Sequence, residues 1–226
     1  MTGRREPVVT IDGPAGAGKS TVAREVARRL GFKLVDTGAL YRALAWAVAQ
    51  AGVDPSDDAA LAAFLARTRV ELASDRVLLN GQDVSDEIRV PEIGMLTSKL
   101  TALPTVREKM TPIQRGLAAA GGIVLEGRDT GSVVCPDAEV KIYLDADLDE
   151  RARRRTEELA ARGMPADYGN VKADMAQRDR QDMEREIAPL RKPAGATTVD
   201  STGVPPEAVV DIILDAVEQA RCCTRS

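Results

Sequence analysis

The stretch that decides the fold is residues 8–21, which read VVTIDGPAGAGKST. Its apolar beginning, Val8–Asp12, predicts a buried β-strand. A helix is expected over residues 19–30, because valine and leucine recur there at helical spacing and Gly31 supplies a stop. A glycine-rich turn separates the two elements. The order strand, glycine-rich turn, helix is typical of α/β proteins that bind phosphate.

The turn itself matches the pattern GxxxxGK[ST] from Gly13 to Ser20. Glycines allow the backbone to surround a phosphate with N–H groups, and the helix that follows adds its positive N-terminal end. We expect Lys19 to reach the β and γ phosphates of a nucleoside triphosphate and the Ser20 hydroxyl to face Mg²⁺. The predicted ATP-binding residues are Gly13, Pro14, Ala15, Gly16, Ala17, Gly18, Lys19, Ser20 and Thr21.

Beyond this loop, short apolar runs alternate with longer helical stretches. This alternation predicts a three-layer α/β sandwich with a central parallel sheet. Further strands are expected at residues 32–36, 123–126, 140–145 and 197–200, and further helices at 38–50, 105–120, 148–162, 171–187 and 206–221.

Residues 70–84 break this rhythm, because apolar and polar side chains alternate there around Asn80-Gly81, a dipeptide typical of tight hairpin turns. The pattern predicts a small antiparallel sheet inserted over residues 62–96. The main domain would then comprise residues 1–61 and 97–226.

Composition excludes several kinds of chemistry. The chain has 226 residues and no histidine, so Ser-His and Cys-His catalysis and histidine-bound metals are ruled out. The net charge of −4 and an aromatic content of 3% give no attraction to nucleic acid or to anionic membranes. Only seven of the 31 basic residues are lysines, so arginine is abundant for local recognition of phosphate.

Three cysteines, two of them adjacent near the C-terminus, do not make a disulfide framework. The short apolar run after the basic N-terminus is too short for a signal sequence or a membrane span. We therefore expect a cytoplasmic protein with no membrane and no nucleic-acid partner.

The triphosphate loop alone does not define a reaction. A GTPase is disfavoured, because neither Asn80 nor Asn170 begins an Asn-Lys-x-Asp guanine-binding motif. A small phosphotransferase fits the chain length better. Other small kinases, such as shikimate or uridylate kinases, and an ATP-dependent switch that binds a protein partner remain alternatives.

Asp145, at the end of a predicted strand, is expected to be structural or to cap a helix rather than to bind a metal.

Four stretches together resemble the bacterial cytidylate kinases: IDGP at 11–14, DTGALYR at 36–42, EGRDTG at 126–131, and the segment from Arg178-Asp179 through Ala188-Pro189-Leu190. The resemblance covers nearly the whole chain. It implies a P-loop kinase with a CMP-binding insertion and a short helical lid, which transfers the γ-phosphate of ATP, with Mg²⁺, to CMP or dCMP. It also implies a monomer.

The resemblance further implies a role for particular residues. The acceptor phosphate would be held by Arg42, Arg128 and Arg185. The ribose would be contacted by Arg178 and Asp182. The cytosine would be recognised by Thr37, Ser98, Arg107 and Asp129. The lid, at about 148–165, would contribute Arg151, Arg154 and Arg155, and these three with Lys19 and Arg128 would form the catalytic set. The chain departs from the family pattern at Glu126, where many members have aspartate, and at Gln181, where some have arginine.

Overall fold

The computed structural model describes residues 5–73 and 76–223. The chain forms two compact units. One contains the chain up to Leu34 and from Ala120 onwards, and the other spans Val35–Ala119. In chain order the elements are β1 (Val8–Asp12), α1 (Lys19–Leu30), β2 (Lys33–Asp36), α2 (Thr37–Ala51), α3 (Asp58–Arg67), β3 (Val70–Ala73), β4 (Arg76–Leu79), β5 (Gln82–Asp83), α4 (Pro91–Leu100), α5 (Pro104–Ala118), β6 (Ile123–Gly127), β7 (Val140–Asp145), α6 (Leu148–Ala161), α7 (Tyr168–Glu184), β8 (Thr197–Asp200) and α8 (Pro206–Cys223).

The central sheet has five strands in the order β2-β6-β1-β7-β8. Strand β1 pairs in parallel with β6 and β7, and β7 pairs in parallel with β8. Strand β1 is buried along its whole length, including Thr10 and Asp12, as expected for a central strand covered on both faces. The predicted parallel sheet is therefore confirmed, and the carboxyl end of β1 leads directly into the glycine-rich loop.

Helices α1 and α8 pack against each other. Val22 and Val26 of α1 join Val209, Ile213 and Val217 of α8 in a core cluster that also includes the side chains of β1 and β7. Helix α1 is amphipathic and buries one face in this cluster. The packing holds the helix in place and thereby fixes its N-terminal end, which follows the glycine-rich loop. Among the described residues, no helix is long and apolar enough to cross a membrane.

The second unit contains the small antiparallel sheet, in the order β3-β4-β5. The turn between β4 and β5 is Asn80-Gly81, and both residues have positive φ, 51° and 85°. This is the two-residue hairpin that the dipeptide predicts. Helix α2 packs against α4, and α3 against α5. The compact unit is wider than the predicted insertion over 62–96 because it also contains α2 and α5.

Helix α7 differs from its prediction at both ends, since it runs over Tyr168–Glu184 rather than 171–187. Asp167 begins it by accepting a hydrogen bond from the Asn170 N–H. It ends where Arg185 takes an extended ψ of 137°. The Arg185 Nε then donates to the Ala188 carbonyl at 2.6 Å, so the side chain stabilises the turn away from the helix. Arg185 therefore lies just beyond the helix whose face it was predicted to share.

Candidate active site

The glycine-rich loop has a backbone that other residues cannot adopt without strain. Gly13 has φ 152°, and a Cβ there would collide with the carbonyl oxygen of Leu144 on β7. Gly18 has φ 91° and forms the N-cap of α1 without any side-chain cap. The first N–H groups of α1 consequently receive no side-chain oxygen from that position, as expected for a helix end that binds an anion.

Lys19 is only 7% exposed, and its Nζ donates to the Pro14 carbonyl at 2.6 Å. Burial, together with the positive charges of Arg128 and Arg178, lowers the pKa of Lys19 to about 7, against the opposing effect of Glu126. An ammonium that is desolvated and surrounded by other cations gains strongly from an anionic ligand. The loop and Lys19 together therefore form a site suited to a polyphosphate.

Ser20, next to Lys19, donates its hydroxyl hydrogen bond to Glu126 Oε2 at 2.8 Å. Glu126 lies on β6, so the departure from aspartate still places a carboxylate beside the loop. The described residues contain no group of three or more His, Cys, Asp or Glu side chains that could hold a metal ion. A serine hydroxyl beside one carboxylate fits Mg²⁺, which takes oxygen ligands and obtains most of them from water and from substrate phosphates.

Asp12, the last residue of β1, supports the turn that follows Arg128 and Asp129. Its carboxylate accepts hydrogen bonds from the N–H and hydroxyl of Thr130, both at 2.8 Å, and from the Gly131 N–H at 2.7 Å. Burial raises the pKa of Asp12 to about 6, although these hydrogen bonds oppose the shift. Residues 130–134 form a single π-helical turn. Asp12 thus ties the start of this turn to the end of β1.

Four of the predicted acceptor residues lie together in the first unit. Arg128 Nε donates to Asp182 Oδ2 at 3.0 Å, and Arg185 Nη2 donates to Asp129 Oδ1 at 3.5 Å. Arg185 Nη1 also lies 3.9 Å from Asp182 Oδ1. Asp182 and Asp129 are buried, and so is the Arg185 side chain. Each carboxylate in this cluster thereby holds a guanidinium in place, as anion recognition requires.

Arg178 lies one turn before Asp182 on α7. Its charge acts on Lys19 and helps to lower the pKa of that ammonium. The structure therefore brings Arg178 within electrostatic range of Lys19. Its place on α7 also puts it one turn from Asp182 of the cluster.

The three predicted lid arginines have different surroundings. Arg151 is 7% exposed, pairs with Asp179 of α7 and donates from Nη1 to the Ala15 carbonyl at 3.0 Å. Arg154 donates to the hydroxyl and the carbonyl of Ser201. The Ser201 hydroxyl in turn donates to the Ala17 carbonyl at 3.0 Å. Arg151 and Arg154 are thus both linked to the glycine-rich loop.

Arg155 instead forms an ion pair with Glu158 at 2.7 Å along the side of α6. Arg153 is exposed and pairs with Glu150 and Glu157, as expected for a surface residue. Asp145 accepts a hydrogen bond from the Ala146 N–H, while the N-cap of α6 is Asp147. Asp145 therefore stabilises the turn before α6 and does not cap the helix.

In the second unit, Asp36 organises the start of α2. Its carboxylate caps the helix by accepting from the Ala39 N–H at 2.8 Å and also accepts from Arg42 Nη2 at 3.1 Å. Thr37 is buried beside it. Arg42 Nε is buried and has no hydrogen-bond partner within the described ranges. A buried guanidinium nitrogen with an unused donor, on a side chain that is only partly buried, indicates a position prepared for an anion.

The other two predicted residues of this unit lie on α4 and α5. Ser98 lies two residues before the end of α4, and its carbonyl accepts from the Thr101 hydroxyl at 2.9 Å. Arg107 of α5 is buried, donates to the Thr101 carbonyl at 3.4 Å and lies over the Tyr41 ring at 5.9 Å. Ser98 and Arg107 are therefore joined through the same short connection between helices.

Sequence reasoning assigned no role to Asp12 or Asp179, although both lie in stretches that carry the resemblance. Asp12 could have been found from the sequence, because it is a carboxylate at the end of the strand that precedes the loop. The partners of Asp179 are distant in the chain, and no local pattern identifies them.

Comparisons with known proteins identify the family to which the chain is similar. The family model described as Cytidylate kinase matches residues 9–219. A cytidylate kinase of Pelotomaculum thermopropionicum is 47% identical over 220 residues, which are 95% of this chain and 97% of that protein. One from Geobacillus kaustophilus is also 47% identical, over 96% of this chain and 98% of its own length.

Among solved structures, an uncharacterized protein from Eubacterium ventriosum superposes with a TM-score of 0.54. The match covers 96% of this chain and 99% of that one at 11% sequence identity, so it shows similarity of fold alone.

Proposed function

The chain belongs to the cytidylate kinase family, and from that membership we propose that it transfers the γ-phosphate of ATP to CMP or dCMP. The products are ADP and CDP or dCDP. The observation that carries the proposal furthest is the buried Lys19 inside the glycine-rich loop, because its desolvated ammonium gains most from a polyphosphate ligand.

The reaction requires positioning and charge more than it requires proton transfer. An oxygen of the CMP phosphate attacks the γ-phosphorus in line, and the bond from that phosphorus to the β–γ bridging oxygen breaks as ADP leaves. The attacking phosphate is already an anion near neutral pH, so no general base is needed. A chain with no histidine can therefore perform this chemistry, with lysine, arginine and Mg²⁺ supplying the positive charge.

Residues of the first unit serve both substrates. The loop residues Gly13 to Thr21 bind the ATP phosphates, with Lys19 at the β and γ positions. Arg128 and Arg185 bind the acceptor phosphate, while Arg178 and Asp182 contact the ribose. Arg151, Arg154 and Arg155 stabilise the charge of the transferred group. The support for these roles is the family pattern together with the ion pairs that fix Arg128, Arg151 and Arg185.

Residues of the second unit serve the nucleoside monophosphate. Arg42 binds its phosphate, in accord with the unused Nε donor, and Thr37, Ser98 and Arg107 contact the cytosine. Residues 62–96 form the CMP-binding insertion and residues 148–165 the lid in this proposal. The Ser20 hydroxyl and phosphate oxygens would hold Mg²⁺, which would neutralise charge on the triphosphate.

Asp129 gives the specificity for cytosine. Its carboxylate accepts a hydrogen bond from the exocyclic amine of cytosine, whereas uracil offers a carbonyl there and would place two acceptors against each other. We further propose that the protein acts as a cytoplasmic monomer on free nucleotides.

Replacing this carboxylate tests the proposal. We expect Asp129→Ala to reduce the ratio of kcat/KM for CMP to kcat/KM for UMP by about 10- to 100-fold, because one charged hydrogen bond that favours cytosine is lost. Asp137→Ala, at an exposed position a few residues on, should leave the ratio unchanged. An unchanged ratio in Asp129→Ala would overturn the role of this residue. ATP binding without any turnover of CMP in the wild type would instead favour an ATP-dependent binding switch.

A further inference from the structure

Asp179 is a buried carboxylate for which the reaction described above has no use. It is 5% exposed and lies on α7, one residue after Arg178. Its two oxygens have different partners: Oδ1 accepts from the Ala15 N–H at 3.4 Å, and Oδ2 pairs with Arg151 Nη1. One side chain therefore reaches both the glycine-rich loop and the first turn of α6.

Arg151 completes a closed set of contacts with the same loop residue. Its Nη1 donates to the Ala15 carbonyl at 3.0 Å as well as to Asp179, and its Nε donates to the Ala146 carbonyl at 2.8 Å. Both backbone groups of Ala15 are thus held by one buried ion pair. These contacts are made by Nε and Nη1 of the guanidinium, and they fix its orientation beside the loop.

Close packing supports the same arrangement. A Cβ on Gly16 would lie 2.7 Å from Met175 Cε of α7 and 3.1 Å from Arg151 Cβ of α6. Ala15 also packs on the small apolar cluster formed by Ala152, Val171 and Met175. Helices α6 and α7 therefore lie directly against the third and fourth residues of the loop, and Asp179 is the charged group at the centre of that contact.

We propose that Asp179 is a positioning residue for phosphoryl transfer, which orients the Arg151 guanidinium and the Ala15 peptide toward the ATP phosphates. This inference rests on the proposed function. The buried pair is not explained by stability alone, because desolvation offsets most of the attraction within a buried ion pair. It does fix a guanidinium and a backbone segment to a common point, which is what in-line transfer requires.

The first test is Asp179→Asn, which retains an acceptor for the Ala15 N–H and removes the charge that holds Arg151. We expect kcat to fall about 10- to 100-fold and KM for ATP to rise, while KM for CMP changes less than about twofold. The matched control is Asp211→Asn. Asp211 also pairs with an arginine of another helix, Arg29 of α1, but it is exposed and lies on α8, outside the lid and the loop. The control should retain the wild-type kcat and both KM values.

A double-variant cycle separates positioning from a purely structural role. If Asp179 orients Arg151, kcat of Arg151→Ala and of Arg151→Ala/Asp179→Asn should agree within about twofold, because asparagine still offers an acceptor to the Ala15 N–H. Losses that multiply in the double variant would overturn the proposal, and so would a wild-type KM for ATP in Asp179→Asn. If Asp179→Asn does not fold, Asp179→Glu keeps the charge but moves it by one methylene, and it should fold with a reduced kcat.

Titration of ATP alone, followed by calorimetry, distinguishes failure of this inference from failure of the proposed function. Asp179→Asn should weaken ATP binding whatever the acceptor is. A wild type that binds ATP but does not phosphorylate CMP would refute the proposed function, whereas unchanged ATP affinity in Asp179→Asn would refute the positioning role.

Discussion

The lowered pKa of Lys19 predicts that ATP binding takes up a proton. Burial and the charges of Arg128 and Arg178 disfavour the ammonium in the free protein and lower its pKa to about 7. The phosphates of ATP would surround the same nitrogen with negative charge and favour the ammonium again. Binding should therefore move the pKa of Lys19 back toward its ordinary value of 10.5.

The expected uptake follows from this pKa. At pH 8 a lysine with a pKa of about 7 is roughly nine-tenths neutral, so full protonation on binding takes up about 0.9 proton per ATP. At pH 6 the same group is already mostly charged, and the uptake should fall to roughly 0.1 proton. The dependence on pH is thus as informative as the magnitude.

Isothermal titration calorimetry measures this uptake directly. ATP is titrated at pH 6 and at pH 8 in buffers with different ionisation enthalpies, and the slope of the observed enthalpy against buffer enthalpy gives the number of protons. Lys19→Met supplies the control, because the proton uptake of ATP and of all other groups remains in that variant. An enthalpy that is independent of buffer at pH 8, or an equal slope for Lys19→Met, would refute the reasoning.

Two further predictions concern stability. Gly13→Ala should lower the free energy of unfolding in urea by about 3 kcal/mol or more, because φ 152° is strained for alanine and its Cβ meets the Leu144 carbonyl. The control is Gly31→Ala, at φ 68° with open space around it, which should lower the free energy of unfolding by about 1–2 kcal/mol. Equal losses in the two variants would contradict this explanation. The folded state binds the Asp12 proton more tightly than the unfolded state, with a pKa of about 6 against 3.8, so its contribution to stability falls as pH rises through 6. Relative to Asp12→Asn, the wild type should lose about 2 kcal/mol of unfolding free energy in urea between pH 4 and pH 7. A difference that is constant with pH would refute the raised pKa.

Much of the fold was predictable because its signals are local. Strand β1 is a continuous apolar run, the glycine-rich loop has a fixed spacing, and Asn80-Gly81 specifies a two-residue turn. Helices α3 and α4 were not predicted. The sequence of α4 contains Gly94 and Thr97, which have low helix propensity, and its stability comes from packing against α2.

The parts of the site that escaped prediction depend on contacts between distant residues. The π-helical turn after Asp129 is held by Asp12, which lies more than 100 positions earlier. Arg151 was predicted to belong to a mobile lid, and its contacts with Ala15 and Asp179 emerge only when α6 and α7 are placed against the loop. Local patterns carry no information on such pairings, since they are set by the three-dimensional packing.

The central claim is that this protein phosphorylates cytidine monophosphates in preference to other nucleotides. Its most direct test is an assay of ADP release from ATP with CMP, dCMP, UMP, AMP and GMP at equal concentrations. We expect rapid turnover of CMP or dCMP and much slower turnover of UMP, because Asp129 pairs with the amine that uracil lacks. Equal rates with all five nucleotides, or faster turnover of UMP than of CMP, would contradict it.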